Sequence, residues 1–114
     1  MTIEETVRAY AAAWNENDDA RRAELLETCW AADGVLVIPR GEIVGRRAVF
    51  DLIASYRSAQ PTQRAVVAKL DHHHRCFRIQ ALAVNANGTT QGSQTEVGEV
   101  GPDGRITRVL SFTD

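Results

Sequence analysis

The chain has 114 residues, of which 44% are hydrophobic and 25% charged. That is enough for one compact core and too few for two, and the balance excludes an intrinsically disordered chain. A net charge of -2, with the charges scattered, gives no field suited to a polyphosphate backbone, so nucleic acid is not an expected partner.

No apolar run approaches the roughly 20 residues needed to cross a bilayer. Glu4 and Glu5 stand where a secretion signal carries basic and then apolar residues, so membrane association is not expected and the expected location is the cytoplasm. Cys29 and Cys76 have no CxxC spacing and lie in apolar contexts, as buried thiols do.

Thr2-Ile3-Glu4-Glu5 has the form of a capping box, in which the Thr2 hydroxyl and the Glu5 carboxylate satisfy two free amide donors. Ile3, Val7, Tyr10, Ala11 and Trp14 follow at helical spacing on one inward stripe. Asn15 to Asp19 interrupts that helix and caps a second, whose buried side is read as Ala23, Leu26, Cys29 and Trp30 and whose end is read at Asp33-Gly34. Val35 to Ile38, closed by Pro39, is a short strand covered on both faces. Glu42-Ile43-Val44 returns from it, and after Gly45 a third helix carries Val49, Phe50, Ile53 and Tyr56 inward until Pro61.

From Arg64 the period changes from helical to alternating, which predicts strands over about 65–71, 74–85, 89–100 and 105–113. Asn85 to Gly88 and Gly101 to Gly104 have the composition of hairpin turns. The expected fold class is α+β, a single domain over 1–114. Three helices cover one face of a strongly curved, mainly antiparallel sheet, giving a cone that encloses a pocket.

Several local motifs in this order resemble the nuclear transport factor two superfamily, in its SnoaL-type, polyketide-cyclase-like branch. They are Tyr10 to Trp14, Trp30 to Pro39, Ile43-Val44-Gly45-Arg46, His73-His74 with Arg78, and Pro102 to Ile106. The resemblance spans nearly the whole chain. It implies a small apolar ligand, a homodimer formed through the outer sheet face, and chemistry chosen from isomerase, cyclase, dehydratase, epoxide hydrolase or plain binding. In the isomerases of that superfamily, a helical tyrosine and a protonated acid on a late strand polarise a carbonyl. Tyr10 and Glu96 match those positions, whereas Ile38 stands where the isomerases carry the carboxylate base. The epoxide hydrolases place an Arg and an Asp two residues apart in the pocket; the nearest equivalent is Arg78 with Gln80, and an amide cannot protonate an epoxide. The resemblance also selects His74, four residues before Arg78, as a pocket imidazole able to orient a ligand or replace the missing base.

The residues themselves leave alternatives open. Glu96 shares a strand face with Gln94 and Gly98; if that face lines the cavity, desolvation favours a neutral carboxyl able to exchange a proton near neutral pH. Otherwise it is an outward or salt-bridged glutamate, paired with Arg78 or Arg108. Tyr10, Trp14 and Trp30 serve either as pocket walls or as ordinary core. Arg78 shares parity with His74, Cys76 and Gln80, and an inward Arg78 needs Glu96 or a ligand anion as partner. In Asp71-His72-His73-His74, only His72 and His74 share a face, and two ligands do not complete a zinc site, so no metal is assigned. No GxSxG, Walker loop or dinucleotide fingerprint occurs, and no cofactor is assigned. The working site is therefore a catalytic set of Glu96, His74 and Tyr10, with Trp14, Trp30, Ile38, Arg78 and Gln80 binding a small apolar molecule.

Overall fold

The computed structural model describes residues 1–114. The elements run α1 (Ile3–Asn15), α2 (Asp19–Cys29), β1 (Trp30–Ile38), β2 (Gly41–Val44), α3 (Arg46–Ala59), β3 (Arg64–His73), β4 (Cys76–Val84), β5 (Thr90–Val100) and β6 (Ile106–Thr113). The six strands form one sheet in the order β2-β1-β6-β5-β4-β3. All neighbours are antiparallel except β1 and β6, which run parallel. That exception follows from connectivity: β6 reaches β1 after the intervening hairpins have filled the other side of the sheet.

The capping box forms as expected, with the Thr2 amide donating to Glu5 and the Glu5 amide to the Thr2 hydroxyl. α1 lies against β3, while α3 covers β1 and β2. α2 bridges α1 and α3. Irregularities in register interrupt each of the β1–β6, β3–β4, β4–β5 and β5–β6 pairings. Such bulges increase local twist and bend the strands around the helices.

Two expectations about α2 are corrected. The helix stops at Cys29 instead of at Asp33-Gly34, and Trp30 opens β1. The Ala31-Ala32 pair favours helix locally, but a stronger tertiary arrangement claims this stretch. Trp30 pairs with Ile106 of β6, its carbonyl accepts from Arg46 Nε at 2.8 Å, and its indole donates to Gly34 O at 3.1 Å. A side chain on Gly34 would collide with that indole, so the bend requires glycine. Ala23 is exposed, and the buried place beside Leu26 and Cys29 is taken by Arg22. Arg22 tolerates burial because two of its nitrogens donate to Glu16 O, a third pairs with Asp19, and its guanidinium lies over the Phe50 ring.

The inner face of the sheet changes character along its length. On β4 the inward residues run Phe77, Ile79, Ala81 and Ala83, from bulky to small. At the bulky end, Phe77 covers Gly98 so closely that any Cβ there would strike the ring. Trp30, Ile106 and Val109 are fully buried. At the small end, Ala65, Ala81 and Ala83 cannot fill the space under α3, and a cavity remains.

Candidate functional site

The cavity has a volume of about 620 Å³ and opens between α3, the end of α1 and the sheet. Trp14, Leu36, Ile38 and Leu52 supply apolar wall. Trp14 is held by an edge-on contact with Tyr56, with ring centroids 5.6 Å apart. The polar lining includes Glu96, Ser111, Gln94, Ser55 and Tyr56.

Glu96 is the chemically distinctive group. Strand alternation on β5 sends Glu96, Gly98 and Val100 inward while Val97 and Glu99 face out. Ile79 and Ser111 flank Glu96 on the adjoining strands. Its side chain is nearly removed from solvent, and Tyr10 donates its hydroxyl to Glu96 Oε1 at 3.2 Å. Burial raises the carboxyl's pKa above the ordinary 4.5; hydrogen bonding from Ser111 and Tyr10 offsets part of that shift. No arginine, lysine or histidine pairs with it. The alternative of a salt bridge to Arg78 or Arg108 is thus not what the fold adopts. Burial makes this carboxyl easier to protonate than an exposed glutamate, which suits exchange of a proton with a ligand.

Tyr10 reaches Glu96 from the packed side. Its ring is buried and stacks on Trp30, with centroids 5.4 Å apart and planes inclined by 27°. Desolvation, followed by the proximity of Glu96, pushes its hydroxyl well above the usual pKa, so Tyr10 is a neutral donor that orients Glu96. Neither Tyr10 nor Trp30 lines the cavity. Trp30 is therefore a core residue, and the expectation of a cavity wall is corrected; Trp14 and Ile38 do line it.

His74, Arg78 and Gln80 lie away from the cavity, contrary to expectation. Their shared parity is real, but it is the outer parity, because Phe77 and Ile79 claim the inner face of β4. The apolar alternation of Phe77, Ile79 and Ala81 carried that signal in the sequence. Arg78 donates to Asp71 at 2.7 Å across the β3–β4 ladder, which holds the Asp71 carboxyl below its usual range. Gln80 donates to Ser93 Oγ at 3.3 Å. His74 occupies the β3–β4 turn with a φ of 52°, the left-handed region that side chains seldom adopt, and its Nδ1 lies 2.9 Å from that of His73. His72 instead faces Glu4 at 3.3 Å, so the imidazoles of His72 and His74 serve different neighbours.

The sequence reading missed Ser111, Leu36, Leu52 and Tyr56 as cavity residues. Ser111 had a usable signal, since it shares parity with the buried Val109 on the last strand. Tyr56 was legible only as an inward helical residue; its wall position depends on the small alanines opposite.

Three helices on one face of a six-stranded mixed sheet, with a buried acid beside a partly apolar hollow, define the class of cone-shaped α+β pocket proteins. The family model for the SnoaL-like domain matches residues 1–113, and the chain belongs to that family. Among solved structures, it is similar to a candidate isomerase of the SnoaL-like family from Agrobacterium tumefaciens, with 30% identity, a TM-score of 0.91 and coverage of 100% of this chain and 99% of that one. A candidate polyketide cyclase from Sinorhizobium meliloti aligns with 18% identity and a TM-score of 0.75, covering 95% and 94% of the respective chains. A cystatin-fold protein from Novosphingobium aromaticivorans aligns with 16% identity and a TM-score of 0.76, covering 98% of each chain. The last two likenesses concern the fold. Among curated proteins, none matches this sequence.

Proposed function

We propose that this SnoaL-like domain binds a small, largely apolar, carbonyl-containing molecule of polyketide-like character and performs cofactor-independent acid/base chemistry on it, as an isomerase, cyclase or dehydratase. One observation carries the reading: Glu96 stands at the wall of a cavity of about 620 Å³ with hydroxyl partners only. In this reading the Glu96 carboxylate takes the proton from the carbon beside the ligand's carbonyl. Now the acid, it returns that proton to the carbon that completes an isomerisation or to the hydroxyl that leaves as water in a dehydration. Tyr10 and Ser111 keep the group oriented, and the apolar wall excludes water. The candidate isomerase from Agrobacterium supports this class of reaction.

A second reading is binding without turnover. Ile38 favours it, because it is apolar where a base is needed and Glu96 is the only carboxylate among the lining residues. Thermal-shift screening with apolar ketones, followed by turnover assays on every stabilising compound, separates the two readings. Glu96→Gln is expected to retain ligand stabilisation while losing at least about 100-fold in rate. Full activity in that variant overturns the acid/base reading, and stabilisation without any turnover in the wild type supports the binding reading.

The same proposal includes a homodimer through the outer sheet face and a cytoplasmic location. Val97 and Phe112 are exposed on that face, at 38% and 59%, and Phe112→Asp is expected to shift a dimer to monomer in sedimentation. Both cysteines are unpaired, which suits a reducing compartment, and no helix is long and apolar enough to cross a membrane.

A further inference from the structure

We infer that the cavity's ligand carries a single carboxylate, received by Arg40 at the rim, together with a carbonyl or hydroxyl that meets Glu96. This rests on the pocket reading above and adds the ligand's charge and polarity. Apart from the tyrosine, three ionisable side chains line the cavity: Arg40, Arg57 and Glu96.

Each of the three guanidinium nitrogens of Arg57 is engaged in holding the fold. Its Nε donates to Asn17 Oδ1 at 2.8 Å, and its two terminal nitrogens donate to Gln63 O at 2.5 Å and Pro61 O at 2.6 Å. Glu96 is the only acidic side chain on the lining, and burial makes it harder to ionise. Arg40 has no comparable employment: none of the ion pairs in the molecule includes it, and it donates no hydrogen bond to the protein. It belongs to the two-residue Pro39-Arg40 turn between β1 and β2, directly after the cavity residue Ile38.

Two arginines against a single acid give the cavity lining an excess of positive charge, and its low-dielectric walls strengthen the attraction for a negative ligand group. A guanidinium matches a carboxylate by two parallel hydrogen bonds. One free arginine suits one carboxylate, whereas a phosphoryl-rich ligand needs more. The hydroxyl of Tyr56 and the amide of Gln94, also on the lining, make no hydrogen bond within the protein and offer neutral polar contacts. The role that the sequence suggests for Arg78, a cationic partner for a ligand anion, thus falls to an arginine on a different strand connection.

The test uses isothermal titration of the purified protein with β-benzoylpropionate and β-naphthoylpropionate, each against its methyl ester, in wild type and Arg40→Gln at low and high salt. The expected result is that wild type prefers each acid over its ester by about three- to tenfold, a range that allows for the solvent exposure of Arg40. Arg40→Gln abolishes the preference while leaving ester affinity within about twofold, and added salt weakens the preference in wild type only. Equal binding of acid and ester by wild type, or an acid preference that survives Arg40→Gln, overturns the inference and leaves the pocket reading standing. Failure of both acids and both esters to bind overturns the two together.

Discussion

Arg57 and Glu96 both line the cavity and are both nearly removed from solvent, at 5% and 6% exposure, yet the fold treats them in opposite ways. Arg57 is surrounded by oxygen acceptors from Asn17, Pro61 and Gln63, which tie the α1–α2 connection to the segment after α3. Arg22 is held similarly by Glu16 O and Asp19. Every nitrogen of these two guanidiniums has an oxygen partner, so they brace the helices around the cavity. Glu96 has two hydroxyl neighbours and no cation, which leaves a buried acid whose proton is available to a visitor. Burial alone does not mark a functional group; what matters is whether the protein has already supplied all the partners that its charged form requires.

The comparison breaks most visibly at Arg57. Arg57→Ala leaves two backbone carbonyls and an amide oxygen without their donors and removes a buried stem, so a loss of about 3 kcal/mol is expected in urea unfolding. A loss below about 1 kcal/mol means that water replaces the guanidinium and that the bracing role is wrong.

Glu96 predicts a smaller effect of the opposite sign. Because its folded pKa is raised above 4.5, the folded state retains a proton that the unfolded chain releases. Its favourable contribution is present in full below pH 4.5 and is lost as pH rises through the folded pKa. Glu96→Gln removes that dependence. The variant is expected to melt roughly a few degrees above wild type at neutral pH, with the gap closing in acid. A Gln variant that is less stable at neutral pH places an unseen favourable partner on the ionised carboxylate.

The smallest effect belongs to Arg78, the arginine that lies outside the comparison altogether. Its pair with Asp71 is exposed on both sides, so Arg78→Ala should melt with the wild type and bind cavity ligands unchanged. Weakened ligand binding in that variant returns Arg78 to the site and undoes its placement on the outer face.

Much of the positioning was legible because periodicity is a local property. The helical stripe through Val7, Tyr10 and Trp14 and the alternation through Glu96, Gly98 and Val100 follow from backbone geometry that any reader of the chain can apply. Arg78 and Gln80 face outward although the family motif associates them with the pocket, because the apolar positions beside them take the inner face. Phe77 and Ile79 determine which side of β4 faces the helices, since burying two aliphatic or aromatic side chains outweighs burying an amide and a guanidinium. Trp30 failed for another reason. Its neighbours prefer helix, and only the parallel pairing with β6, remote in sequence, turns it into a strand residue.

The sequence by itself determined most element types, the three-helix and curved-sheet architecture and the family, because each depends on repeating local patterns, whereas it left Glu96 open between the cavity and the outer face. The tertiary structure decided which acids and bases meet. It gave Asp71 to Arg78, Asn17 to Arg57 and Tyr10 to Glu96, and it left Arg40 free at the rim. Such pairings depend on distances between segments far apart in the chain. A buried carboxyl becomes an acid poised for chemistry only when those distances withhold a cation from it.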